Sequence, residues 1–337
     1  MEDEALPFLS VINQRGEPVF GQFDQIPQTL GIEKFCYQTS MDKSAGPWAR
    51  YFGYKQFQFV SLVTPQYVVG VAIADIRYLT STFCYVYDRN THELSEQKWL
   101  RPLGLGSRSQ PSPLNGIATN ASGQVSFQIT NGQWQLCINS KRITANLTLH
   151  PLQTSLPLAM CSPTGYNGWT YTQKHNALSV KGDLVIDGQP QPSGELLAGY
   201  DFSAGYMRRE TSWRWASINA QVQGKKIGLN LAAGVNETGM TENVLWVDGV
   251  RHYLGPVQFE FDRHDLDKPW QITSKDGRVQ LTFTASNLRS EKLNLWLLKS
   301  NFRQFIGHFD GVLQDGEGNT YHLKQVLGLT EDHFARW

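Results

Sequence analysis

The same succession of motifs runs twice along this chain, and that doubling constrains its fold more than any single residue does. Tyr85-Val-Tyr-Asp88 precedes His92 by four positions, as Leu245-Trp-Val-Asp248 precedes His252, and the two aspartates stand 160 residues apart. Upstream, Val69-Gly-Val-Ala-Ile73 matches Ile227-Gly-Leu-Asn-Leu231, and Phe57-Gln-Phe59 matches Trp213-Arg-Trp215. Downstream, Trp134-Gln-Leu136, Lys141-Arg-Ile143 and Leu147-Thr-Leu149 match Trp270-Gln-Ile272, Gly277-Arg-Val279 and Leu281-Thr-Phe283. Asp187-Gly188, Gly199 and Arg209 then follow with nearly the spacing of Asp315-Gly316, Gly328 and Arg336. A solenoid repeat spans only roughly 20 to 50 residues, so the period points to two copies of a whole domain. The expected division is an N-terminal segment at 1–47, a first copy at 48–209 and a second at 210–337. A length of 337 residues agrees with two domains at roughly 150 residues each.

Within each copy the apolar segments are short, alternate with period two or are dense in β-branched and aromatic residues, and stop at turn dipeptides. Asn131-Gly132, Asp187-Gly188, Asp248-Gly249, Asp276-Gly277 and Asp315-Gly316 suit tight hairpins whose central residues need positive φ. The chain therefore reads as all-β and antiparallel. Meandering hairpins must dispose of their edge strands, and closure into a barrel does so. Small barrels of about eight strands hold either packed side chains or one apolar ligand. Two lipocalin-like antiparallel β-barrels fit the repeat, with two β-sandwiches as the alternative that strand patterning leaves open. No β-α-β alternation, dinucleotide fingerprint or P-loop is present. Two stretches, Leu103 to Gly116 and Leu152 to Asn167, interrupt the strand pattern, and the first, rich in Gly, Ser and Pro, reads as a surface loop.

Composition narrows the partners. Thirty basic side chains balance thirty acidic ones, with no basic run to release counterions from nucleic acid, which argues against nucleic-acid binding. The 10 Trp, 13 Tyr and 17 Phe can wall a core or an apolar cavity. No apolar run reaches the 18 or so residues of a transmembrane segment, and peripheral contact with a membrane stays open. The N-terminus is acidic and lacks the pattern of a secretory signal, so a cytoplasmic location with four reduced thiols is expected, and sequons at Asn120, Asn146 and Asn236 carry no weight there. Eight histidines form no His-x-His or His-x-x-x-His pair, so neither a metal nor a cofactor is expected.

Three segments concentrate the polar and aromatic side chains. In Tyr206-Met-Arg-Arg-Glu-Thr-Ser-Trp-Arg-Trp215, strand alternation puts Arg209, Thr211, Trp213 and Trp215 on one face. Arg209 beside two indoles could grip a ligand carboxylate, whereas a plain core face needs no ligand. Around the next hairpin, Glu242, Asn243, Trp246 and His252 converge in sequence. Asp248 belongs to the turn, but Glu242 and His252, with Asp201, are candidate acid and base groups. His92, at the matching place of the first copy, favours a scaffold role for His252. In Gly165 to His175, Trp169, Tyr171 and Gln173 share one face, opposite Thr170, Thr172 and Lys174. Trp169 and Tyr171 are candidate ligand contacts, with an aromatic core strand as the plainer reading.

Several of these segments carry a resemblance. Gly168-Trp-Thr-Tyr-Thr-Gln-Lys174, Arg208-Arg-Glu-Thr-Ser-Trp-Arg-Trp-Ala216, Gly228-Leu-Asn-Leu231, Asn236 to Asp248 and the closing Ala335-Arg-Trp337 are similar to the bacterial and fungal family of unknown function DUF2804, from about residue 30 onward. In organisation the chain also resembles double-lipocalin proteins such as carotenoid hydratases, which implies action on apolar chains without a cofactor. The expected function is binding of an apolar or amphipathic small molecule, lipid or isoprenoid-like, in a β-barrel cavity. The alternative is a cofactor-free hydratase, cyclase or isomerase whose buried carboxylic acid protonates an alkene.

Overall fold

The computed structural model describes residues 8–234, 239–295 and 298–337, so the sequon at Asn236 lies outside the described residues. Alternation in the sequence becomes alternation in burial. From Ile143 to His150, the Ile, Ala and Leu side chains turn inward while the Thr, Asn and His positions between them are exposed or half-buried. At Asn131-Gly132, Asp187-Gly188 and Asp248-Gly249 both residues have positive φ, as a tight primed turn requires. Asp315-Gly316 departs from that expectation: the loop is longer, its positive φ falls at Gly318, and the Asp315 carboxylate accepts hydrogen bonds from the Glu317 and Asn319 amides.

The principal strands of the first half are β1 (Lys55–Val63), β2 (Tyr67–Asp75), β3 (Leu79–Asp88), β4 (Leu94–Pro102), β5 (Val125–Thr130), β6 (Gln133–Asn139), β7 (Ile143–His150), β8 (Gly168–Ile186) and β9 (Leu197–Tyr206). Those of the second are β10 (Glu210–Val222), β11 (Lys225–Ala233), β12 (Val244–Val247), β13 (Val250–Tyr253), β14 (Val257–Glu260), β15 (Trp270–Ser274), β16 (Val279–Leu295), β17 (Leu298–Gln314) and β18 (Thr320–Arg336). The first sheet, 14-stranded with its short additions, runs β4-β3-β2-β1-β9-β8-β7-β6-β5 along its main path. The second, 9-stranded, runs β13-β12-β11-β10-β18-β17-β16-β15-β14. Each strand of the second sheet thus stands where the strand nine numbers lower stands in the first, so the doubling of the sequence is also a doubling of strand order. Of the interrupting stretches, Leu152 to Asn167 contains a further strand, Leu158–Thr164, because β8 overreaches β7 and its first half needs a partner. One helix, α1 (Pro47–Gly53), precedes β1.

Both sheets are antiparallel, and each curls over its own core. Val60, Val71, Leu147 and Phe202 belong to the first core; Ile218, Leu229, Phe283 and Phe309 belong to the second. Amides and phenols help to fill the first: Tyr171 donates to Gln173 (2.9 Å) and Gln173 to Tyr200 (2.8 Å), while Trp134 stacks on Tyr200 at 4.5 Å. A third cluster lies between the halves. There Phe59, Val68, Ala72, Tyr85 and Tyr87, on the outer faces of β1 to β3, meet Trp215, Ile306, Leu327 and Leu329. Each such side chain contributes about 1.5 to 3 kcal/mol on burial, so the contact fixes the halves against one another.

Polar pins set the register of that contact. The Asn176 amide donates to Ser217 Oγ (2.7 Å), Leu229 O (2.9 Å) and Ile218 O (3.2 Å), and Asn219 accepts from the Ala177 amide (2.7 Å) while donating to Ser61 (3.1 Å). Gly228 permits this approach, since a Cβ there would lie 2.8 Å from Asn176 Cβ and 2.9 Å from its carbonyl carbon.

Candidate functional site

With both barrel interiors packed, the cavity lies between the halves. It encloses about 270 Å³, close to the roughly 300 Å³ lower bound of small-molecule sites. Phe57 and Phe59 of β1, Phe83 of β3, Trp213 and Trp215 of β10 and Phe302 of β17 give it aromatic walls. Its polar groups come from β8 (Thr170, Thr172, Lys174), β9 (Asp201, Ser203), Glu242 ahead of β12, β16 (Arg289), β17 (Gln304) and β18 (Glu331, His333). A shallower groove on the second half, lined by Arg214, Val257, Phe259 and Phe261, lies apart from this cluster.

Strand register explains the arrangement. Lys174 of β8 pairs with Asp201 of β9, which pairs with Phe59 of β1. Nine strands on, Gln304 of β17 pairs with Glu331 of β18, which pairs with Trp215 of β10. The sequence repeat already equates Phe59 with Trp215, so Asp201 and Glu331 occupy equivalent positions, as do Lys174 and Gln304. The rings of Phe59 and Trp215 meet edge to face at 6.1 Å. Two acids thus enter one cavity from the two halves, one beside an ammonium and the other beside a neutral amide.

That difference sets their electrostatics. Lys174 Nζ lies 2.7 Å from Asp201 Oδ2 and 3.2 Å from Glu242 Oε2; Ser203 donates to Asp201 (2.9 Å) and Thr172 to Glu242 (3.1 Å). Burial by itself lowers the Lys174 pKa, but the two carboxylates outweigh it and hold the ammonium above its ordinary value. Asp201 is raised, because burial and the neighbouring Glu242 outweigh the one ammonium the two acids share. Glu331 accepts from Gln304 Nε2 (2.7 Å) and Trp213 Nε1 (3.3 Å). Burial nevertheless pushes its carboxyl up to about 7, against those donors and the more distant Lys174. The same burial holds His333 down to about 3; its ring packs 4.3 Å from Trp213 and its Nε2 lies 2.9 Å from Ser300 Oγ. Arg289, 3% exposed, lies 3.8 Å from the Phe83 ring centre and is held by Glu96 at 2.6 Å through Nε. Among the described residues, Gln304 Oε1, His333 Nδ1 and Arg289 Nη1 have no hydrogen-bond partner.

The structure brings Asp201, Glu242, Trp213 and Trp215 together at the cavity and directs the remaining sequence candidates elsewhere. Arg209 is exposed, just ahead of β10, and its carbonyl receives the Trp337 amide (3.0 Å); Arg208 lines the cavity instead. Asn243 is fully buried and braces backbone, accepting from Ala232 (2.7 Å) and donating to Gly255 (2.9 Å). His252 pairs opposite Leu245 and accepts from the Gly316 amide (3.2 Å), at the turn and away from the cavity wall. Trp246 packs with Leu158, Met160 and Val244 and donates to Leu156 O (3.0 Å), sealing the halves on another side. Trp169 and Tyr171 turn into the first core, and the other face of β8, Thr170, Thr172 and Lys174, lines the cavity. Glu331, Gln304, His333 and Arg289 were not among the sequence candidates; the strand register, anchored on Phe59 and Trp215, is what sets the first two opposite Asp201 and Lys174.

The model of the family described as Domain of unknown function (DUF2804) matches residues 28–337. The chain belongs to this family. No curated protein matches it significantly. Among solved structures, it is similar to CghA with Sch210972, with a TM-score of 0.56 at 12% identity over 97% of this chain and 98% of that one. It is also similar to kievitone hydratase from Nectria haematococca, with a TM-score of 0.50 at 12% identity over 82% and 88% of the two chains. At such identity the likeness is one of fold, shared by the two half-barrels with these structures.

Proposed function

We propose that this protein binds an apolar or amphipathic small molecule in the cavity between its two half-barrels. The observation that carries the reading is the cavity wall itself: seven Phe and Trp side chains from both halves enclose a few convergent polar groups, the composition that small-molecule sites share. The unpartnered polar atoms of Gln304, His333 and Arg289 support a ligand with an oxygen or nitrogen among its carbons. The fold relatives include a hydratase by name, which agrees with a small molecule as partner. Native mass spectrometry of protein incubated with lipid and isoprenoid extracts tests the reading. A retained compound that quenches Trp213 and Trp215 fluorescence is expected. A protein that retains nothing, while Trp213→Leu leaves every spectrum unchanged, refutes it.

A second reading rests on Glu331. Its acid form, held ready near neutral pH, can pass its proton to one carbon of a double bond, leaving a cation on the other. Trp213, Phe57 and Phe302 surround that cation with ring faces. Addition of water and return of its proton to the Glu331 carboxylate completes a hydration; loss of a proton from the adjacent carbon to that carboxylate completes an isomerisation, and attack of a second double bond on the cation before that loss completes a cyclisation. Asp201 and Glu242, kept by Lys174, stabilise positive charge from the opposite wall. Glu331→Gln should abolish turnover and keep ligand binding; unchanged turnover removes Glu331 from this role.

A further inference from the structure

Around one end of the cavity the surface is unusually apolar. Trp48 of α1 is 76% exposed, Leu105 68%, Leu103 54% and Leu100 48%. Two segments far apart in sequence form this surface because both rest on Tyr78. Phe52 of α1 stacks on its ring at 4.4 Å, and the Leu103 amide donates to its carbonyl at 2.9 Å. The surface is continuous with the cavity, since Leu100, together with Ile76, Leu79 and Lys55, also lines it.

The charges on the same surface are mostly positive. Residues 99 to 108 carry Arg101 and Arg108 and no acid, and residues 41 to 53 carry Lys43 and Arg50 against Asp42 alone. Lys43, Arg101 and Arg108 are exposed and, among the described residues, pair with no carboxylate. A protein of zero net charge has therefore gathered unpaired cations around exposed Trp and Leu side chains. Aromatic and aliphatic side chains that enter the headgroup layer, ringed by Lys and Arg that attract anionic lipid, are how a peripheral protein rests on a bilayer.

We propose that α1 and the 100–108 segment dock on an anionic membrane surface, with the cavity end turned toward the lipid so that an apolar ligand passes between bilayer and cavity. The passage of ligand rests on the binding function proposed above; the docking does not. Flotation with phosphatidylcholine vesicles, with and without phosphatidylserine, tests it on the full chain. Binding to the anionic vesicles alone, released by high salt, is expected. Trp48→Ser/Leu105→Ser and, separately, Arg101→Glu/Arg108→Glu should each weaken it at least tenfold with unchanged circular dichroism, since all four side chains are exposed. Both variants should keep wild-type affinity for a soluble cavity ligand measured without vesicles. No flotation by wild-type protein overturns the docking, as does self-association in solution that Trp48→Ser/Leu105→Ser abolishes, because the patch then serves a second copy. A protein that floats but retains no ligand would leave the docking standing and remove the cavity function.

Discussion

Replacing Glu331 by Gln should make the protein more stable, by an amount that grows as pH rises above about 4.5 and levels off near 7. The Glu331 carboxyl moves from an ordinary 4.5 to about 7 in the folded protein. Each tenfold change in proton affinity corresponds to about 1.4 kcal/mol, so ionising this group in place costs about 3 kcal/mol more than ionising it in the unfolded chain. Because the folded value is raised, the protonated group's contribution is fully present below about pH 4.5 and is lost as pH rises through about 7. Glutamine keeps the shape and cannot ionise. The stability difference between variant and wild type should therefore be flat in acid, grow between these two values and level off near 3 kcal/mol. With an unfolding entropy of about 2.1 cal/mol/K per residue, that is a gain of about 4 °C in midpoint at pH 8 for 337 residues. Differential scanning calorimetry of both proteins across that pH range measures it, and groups common to both cancel in the difference. A difference that stays constant from acid to pH 8 would refute the account of Glu331 as an acid held protonated by burial. A stabilising substitution that also removes activity is the expected signature of a functional group kept at a cost.

Lys174→Met leaves Asp201 and Glu242 buried without their ammonium, and losing one partner of a buried ion cluster costs about 3 to 5 kcal/mol. The urea midpoint should fall accordingly, the loss should shrink in acid as the carboxylates protonate, and Lys174→Met/Asp201→Asn/Glu242→Gln should recover most of it. Gly228→Ala sets a Cβ 2.8 Å from Asn176 Cβ, and overpacking of that kind costs about 1 to 3 kcal/mol. Its thermal midpoint should drop, and Asn176→Ala, which keeps the Cβ and the backbone atoms that the new methyl meets, should leave that loss in place in a double-mutant cycle; full relief would place the cause elsewhere than this contact. Gln304→Lys gives Glu331 the neighbour that Asp201 has, so the Glu331 carboxyl should ionise below neutral pH, seen as a fallen carboxyl frequency in infrared titration; an unmoved titration argues against the equivalence of the two positions.

The fold was legible because its signals are periodic and local. Period-two runs such as Ile143 to His150 and positive-φ dipeptides such as Asn131-Gly132 specify strands and turns without long-range information, and the repeat carries the strand order. The site was less legible because alternation separates two faces of a strand without saying which one a cavity will use. In β8 the aromatic face of Trp169 and Tyr171 had the better claim by composition, yet it fills the first core, and the polar face of Thr170, Thr172 and Lys174 meets the second half. His252 and Arg209 drew notice as charged groups near aromatic ones, but each lies at an element's end, where a backbone contact holds it. Glu331 and Gln304 are ordinary residues in ordinary strands; only the partner half makes them inward-facing.

The repeat shows why chemistry would settle between the halves and not inside one. A half-barrel packs its own interior with residues such as Trp134 and Tyr200 or Phe283 and Phe309. Its outer face, otherwise exposed, is buried once a second copy lies against it, and equivalent positions from the two copies then face one space. Identical copies would bring identical acids, both paired or both orphaned. Divergence at one cross-strand neighbour, Lys174 against Gln304, gives them different partners: Asp201 meets an ammonium at 2.7 Å, while Glu331 accepts from an amide and an indole, and burial pushes its carboxyl up to about 7. Burial raises both carboxyls, and what one substitution within a duplicated strand pair changes is the neighbour each of them has in the shared cavity.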